Sequence, residues 1–216
     1  MQIIRFYSLM SVAFFIVNMA QSEPITIKTR SQVVTATNGG KYESMEKEAT
    51  WETTQTAVII VDMWDDHWCP NAAKRVTEMA KPMNKVIKLA REKGMLIIHA
   101  PSSTVDFYKG TLARKRSINA PSASPPKPLS KDVRWGTNWC WPDKFRETEL
   151  PIDDSDMGCD CEKEFPIREA WTRQIETIEI DDESDAITDN GQEAYNLLVE
   201  HNIENVILMG VHLNMC

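Results

Sequence analysis

The chain predicts an α/β fold with a mainly parallel sheet, and two observations predict it. "TAVIIVDM", "MLIIHA" and "IENVILMGV" are continuous apolar runs rich in β-branched residues. Such runs suit strands buried on both faces, as in parallel sheets. Between them lie "NAAKRVTEMAKPMNKVIKLAREKG" and "NGQEAYNLLVEHN", whose apolar residues recur at helical spacing. Strand–helix–strand is the βαβ unit, and it places ligands beyond the carboxyl ends of the strands.

In chain order, residues 1–22 ("MQIIRFYSLMSVAFFIVNMAQS") have one basic residue, Arg5, then an apolar stretch, then small residues at Ala20 and Ser22. This reads as a signal peptide cleaved before Glu23, because the apolar stretch is shorter than the ~20 residues of a membrane span. The body is therefore expected to be secreted or periplasmic, with no membrane attachment after cleavage. Residues 23–54 are polar and read as an extended lead-in with a short strand at "QVVTAT". The first buried strand and its helix follow, with Gly94 as the helix stop, and then the second strand.

Residues 101–170 break the rhythm. "NAPSASPPKPLS" is loop by composition, "RWGTNWCWPDKF" holds Trp135, Trp139 and Trp141, and "ELPIDDSDMGCDCEKEFP" is acidic. The segment reads as a long insertion over one end of the sheet. Its tryptophans are expected to form a satellite core, with an aromatic lid over a small-molecule pocket as the alternative. "TRQIETIEI", with alternating Ile residues, reads as the third strand, so Asp181 and Asp182 stand at its end as candidates for a site. The last helix and the "NVILMG" strand complete a β-α-β-insertion-β-α-β order.

The chain has 216 residues, enough for one domain spanning 55–216 with its lead-in, and a formal net charge of −8. Nothing in that balance offsets phosphate repulsion, so nucleic acid is excluded as a partner. A small molecule is the expected substrate, no cofactor or metal is expected, and self-association is left open. Five cysteines are an odd set. Cys159 and Cys161 are too close in sequence to bridge each other. With Cys69 and Cys140 they could make two disulfides if each takes a different partner, leaving Cys216 as the odd thiol. A metal held by Cys159, Asp160 and Cys161 is the lesser alternative.

The strand ends carry the chemistry. The first run ends in "VDMWDDHWC", with Asp62 at the tip and Asp65, Asp66 and His67 just beyond. The last ends in "GVHLNMC". A carboxylate and a thiol on neighbouring strands make an acid/base and nucleophile pair. His67 reads as a rim residue and His99 as a hydrogen-bonded structural histidine.

"AVIIVDMWDD", followed at a distance by "NVILMGVHLNMC", resembles the isochorismatase-like cysteine hydrolases, which include nicotinamidases and other small-amide hydrolases. The resemblance covers roughly 55–100 and 172–216. It implies a Rossmann-like three-layer α/β/α fold, with Asp62 as general base, Cys216 as nucleophile and Asp66 as the acid that shapes the site. It also implies a cis peptide between Val211 and His212, and an oxyanion hole from the N–H groups of His212 and Cys216. The implied reaction is cleavage of a small amide or related C–N bond through a thioester. Two departures stand out. The family's catalytic lysine falls where this chain has "IEIDDESDAI", with Asp181 or Asp182 nearest and Lys109 and Arg173 as the alternative sources of positive charge. The nicotinamidase Asp/His metal cluster has no match at "HAPSSTVDFY", which offers only His99 and Asp106. The family's nucleophile opens a helix and further strands follow it. The expectation is therefore that this sequence is a C-terminally truncated piece of a longer protein. A non-catalytic binding module on the same scaffold is the alternative.

Overall fold

A computed structural model describes residues 23–34, 42–124 and 159–211. The expected signal peptide, Trp135, Trp139, Trp141, Cys140, His212 and Cys216 lie outside the described residues.

The lead-in is a long hairpin rather than a single extended segment. β1 (Ile25–Val34) pairs antiparallel with β2 (Tyr42–Trp51), from Ile25↔Trp51 to Val34↔Tyr42. Opposite charges face each other across it, Lys28 with Glu48 and Arg30 with Glu46, the latter at 2.8 Å. Such cross-strand pairs hold a register where little is buried, and among the described residues of the hairpin Ile25 packs against the main core.

The main sheet has four parallel strands in the order β5-β4-β3-β6. These are β3 (Thr56–Val61), β4 (Leu96–Ala100), β5 (Ala186–Ile187) and β6 (Asn205–Gly210). Helix α1 (Pro70–Glu92) joins β3 to β4, and α3 (Gly191–Glu200) joins β5 to β6. The α1 helix buries Val76, Ala80, Met83, Ile87 and Ala90, a strip spaced by three and four residues. That strip packs with Val58, Ile60 and Ile97. The alternate strand residues Ala57, Leu96 and Ile98 pack with Leu197 of α3. Period-two alternation thus feeds two cores, each fully buried aliphatic side chain contributing roughly 1.5–3 kcal/mol. Gly94 stops α1 at φ +81, a conformation that costs glycine nothing. Asn190 caps α3 by accepting the N–H groups of Gln192 and Glu193 at 2.9 and 3.1 Å. The whole is an α/β architecture with a parallel sheet flanked by helices, compatible with a Rossmann-like fold.

Two expectations need correction. "TRQIETIEI" is not a strand. Ile175 and Ile178 turn inward at a spacing of three, and the segment touches β3's exit through one antiparallel bridge, Trp64 to Gln174, and an Ile175 N–H bond to Met63 O at 2.8 Å. The third strand is the two-residue β5, so Asp181 and Asp182 lie before its start, not past its carboxyl end. Within the insertion, where the sequence predicts no helix, α2 (Leu112–Asn119) forms, Thr111 capping the Arg114 N–H at 3.2 Å. The helix escapes sequence reading because it buries only Ala113 and Ser117 and shows no apolar stripe. Among the described residues β6 is an edge strand, with Val206 and Leu208 exposed, and no helix is long and apolar enough to cross a membrane.

Candidate functional site at the carboxyl ends of β3 and β6

The chain leaves β3 toward β4 and β5 on one side, then returns through α3 to lay β6 on the other. β3 and β6 therefore flank the point where strand order reverses, the usual ligand crevice of an open parallel sheet.

Asp62 ends β3 there and is 1% exposed. Its φ of +49 is left-handed, a region that aspartate tolerates better than most residues but that still marks local strain. Its N–H donates to Ala100 O at 3.2 Å, and its Oδ1 accepts the Ser102 N–H at 2.9 Å. Among the described residues no Lys, Arg or His lies within ion-pair distance of its carboxylate.

Across the seam, β6 closes on β3 so tightly that only glycine fits at its end. A Cβ on Gly210, at φ +130, would collide with the Val61 backbone carbonyl. Val211 N–H then donates to Val61 O at 3.2 Å, setting Val211 next to the residue before Asp62. Thus Asp62 and Val211 are brought together, while His212 and Cys216 follow outside the described residues.

The Pro101–Ser103 turn ties in a further acid. Ser102 N–H goes to Asp62 and Ser103 N–H goes to Asp189 Oδ2 at 3.0 Å. Asp189, not Asp181 or Asp182, is the acid just beyond the third strand, and sequence reasoning missed it because the strand was misplaced. Asp181 instead closes its own turn by accepting Glu183 N–H and Ser184 Oγ–H at 3.0 and 2.9 Å. Asp182 accepts Ala113 N–H at 2.8 Å in the first turn of α2, and this helix-end bonding holds its carboxyl below the ordinary range.

Beyond Asp62 stands an aromatic wall. Trp64 and Trp171 stack at 4.1 Å with 7° between planes, and His67 stacks on Trp171 at 5.6 Å. Trp64 Nε1–H donates to Ser102 O at 3.2 Å, and Trp171 Nε1–H has no acceptor among the described residues. Asp65 anchors the wall's second half by accepting Thr172 N–H and Oγ1–H at 2.8 and 2.6 Å. Partial burial works against its charge, but these bonds and the Arg173 N–H outweigh burial and lower its pKa. Asp66 is exposed, accepts His67 N–H at 2.7 Å, and has Arg168 at 3.9 Å. Arg173 is spent elsewhere, on Glu176 at 2.6 Å and over the Phe107 ring at 5.2 Å. Lys109 is exposed after a 3-10 turn, Val105–Tyr108. Among the described residues neither is paired with Asp62.

On the neighbouring strand, His99 is wholly buried, with Nδ1 3.0 Å from Gln174 Oε1 and Nε2 3.0 Å from Asp185 Oδ2. Asp185 also receives Arg91 through two bonds of 2.8 and 2.6 Å and the Asp181 N–H at 2.8 Å. Burial opposes its charge, yet His99, Arg91 and the backbone bond hold its pKa down to about 2.

The cysteines do not follow the two-partner scheme. Cys159 Sγ lies 2.6 Å and Cys161 Sγ 3.7 Å from the same Cys69 Sγ, and all three are free thiols. Cys69 is the N-cap residue of α1. Burial opposes its ionisation, but the neighbouring thiols and the Asn71 and Ala72 N–H groups lower its pKa, while donation to Cys69 pushes Cys159 up to about 12.

In comparisons with known proteins, no family model, no curated protein and no solved structure matches this chain.

Proposed function

We propose that this protein is an exported cysteine hydrolase of the isochorismatase-like kind, cleaving a small amide or related C–N bond. The observation that supports it best is the β3/β6 seam, where a buried, left-handed Asp62 adjoins Gly210 and Val211 at the strand-order reversal. In this reading Cys216, the fifth residue after Val211, is the nucleophile. Asp62 accepts its proton, the thiolate attacks the carbonyl carbon, and the proton passes to the departing amine. Water, losing a proton to Asp62, then hydrolyses the thioester and frees Cys216. The N–H groups of His212 and Cys216 would stabilise the oxyanion, Asp66 would shape the loop, and the Trp64/Trp171 wall would suit a flat substrate. A three-layer α/β/α sandwich belongs to the same proposal, as does cleavage before Glu23. Amine release from a panel of small amides by the full-length protein tests it, wild type against Cys216→Ala. Cys-dependent turnover is expected, and equal turnover by the two proteins sinks the reading.

A second reading is favoured by one observation, the absence of a cation beside Asp62 among the described residues. Without a positive charge, a thiolate and a base anion repel each other. The protein would then be a non-catalytic module binding small molecules or proteins. Ligand binding with no Cys-dependent turnover would favour it.

A further inference from the structure

We infer that Cys69, Cys159 and Cys161 form a three-thiolate site for a thiophilic divalent cation of the Zn2+ class, which fastens the returning end of the insertion to the first turn of α1. The three sulfurs lie within 4.8 Å of one another. The Cys69–Cys161 separation of 3.7 Å is that of two ligands on one tetrahedral ion. With metal–sulfur bonds near 2.3 Å, a tetrahedral edge is about 3.8 Å. The Cys69–Cys159 separation of 2.6 Å must widen to reach that edge.

The competing chemistry is a disulfide. It takes two sulfurs and accounts for one of the two contacts with Cys69. A shared cation accounts for both, and for why two cysteines too near in sequence to bridge each other face the same partner.

The surroundings hold the loop and the helix in place for such an ion. Arg75 donates to Asp160 Oδ2 at 2.8 Å and Asn71 Nδ2–H to Asp160 O at 3.3 Å, pinning the residue between the two cysteines onto α1. Asp160 is thereby engaged with Arg75, which leaves sulfur alone as the ligand set. Cys69 N–H donates to His67 Nδ1 at 3.0 Å, fixing the backbone of the third ligand. These are the outer bonds that orient metal ligands. Sulfur-only ligation favours Zn2+ and its soft neighbours over Mg2+ or Ca2+. The site lies next to the aromatic wall, since His67 belongs to both. The inference does not depend on hydrolysis.

The test is Zn2+ uptake by the whole protein, reduced with a phosphine and freed of metal, in competition with a chromophoric chelator. One equivalent is expected to bind, with Mg2+ unable to displace it. Cys161→Ser is expected to weaken binding about 100-fold or more, because one of the ligands is lost. Alkylation mapped by mass is the second readout. Bound Zn2+ is expected to slow labelling of Cys69, Cys159 and Cys161 together, leaving Cys216 unchanged. Failure of the reduced wild type to take up an equivalent overturns the inference. So does a Cys161→Ser variant that binds as tightly as wild type.

Discussion

The β4/β5 seam and the β3/β6 seam each bury a polar side chain near a strand end, and they treat it in opposite ways. At the first, both ring nitrogens of His99 face acceptors, and Asp185 answers with bonds from Arg91 and a backbone N–H. At the second, Asp62 takes the Ser102 N–H on one oxygen and holds a left-handed backbone. A saturated network of buried charges stabilises one arrangement and has no bonding capacity left for a ligand. A strained carboxylate with bonding capacity to spare among the described residues is what chemistry at a strand end requires. The contrast separates a structural histidine from a candidate base although both are almost wholly buried.

Asp62→Asn should break the comparison most sharply. Asparagine also tolerates left-handed φ, so unfolding free energy should change by less than about 1 kcal/mol. Turnover on the best small amide should fall by about 10³-fold, the middle of the range for loss of a general base. A stability loss as large as the activity loss would put Asp62 with the structural groups.

Gly210→Ala should cost about 3 kcal/mol or more in denaturant unfolding, because the new methyl meets the Val61 carbonyl and the backbone sits at φ +130. A neutral result would mean that β6 does not close on β3 as described.

Asp185→Asn should cost about 3 kcal/mol, since it leaves the Arg91 charge partly buried without its carboxylate. The wild-type network also predicts an acid transition. The Asp185 pKa is lowered from 3.8 to about 2 in the fold. Its contribution, on the order of 2 kcal/mol, is present above pH 4 and lost as pH falls toward 2. Unfolding curves from pH 5 to 2 should show that slope in wild type and a shallower one in Asp185→Asn.

The smallest effect should come from Arg173→Ala. Its pairs with Glu176 and Asp65 are solvent-screened, so stability should shift by less than about 0.5 kcal/mol. A large loss of turnover with unchanged stability would instead show that Arg173 supplies the positive charge that the proposed mechanism needs.

Much of this contrast is legible in the sequence alone. Asp62 and the Gly210–Val211 pair were legible because each closes a long apolar run, and the run itself marks a buried strand. The His99 network was not, because its members come from β4, α1 and the segment that leads into β5, and no spacing connects them. Asp189 was missed for a different reason. The isoleucines at 175, 178 and 180 suggest a strand, but the first two are three residues apart, and Gln174 and Ile178 are drawn inward by contacts with Tyr108, His99 and the core. The true strand has two residues, too few to carry a period.

By itself the sequence determined β3, β4, β6, α1 and α3, since apolar periodicity and capping act over a few neighbouring residues and are decided locally. Tertiary structure alone decided which strand ends meet and which thiols converge. The Val211–Val61 and Cys161–Cys69 contacts each join residues far apart in the chain. Such contacts depend on how the whole chain closes its loops and buries its two cores, and no local pattern encodes that choice.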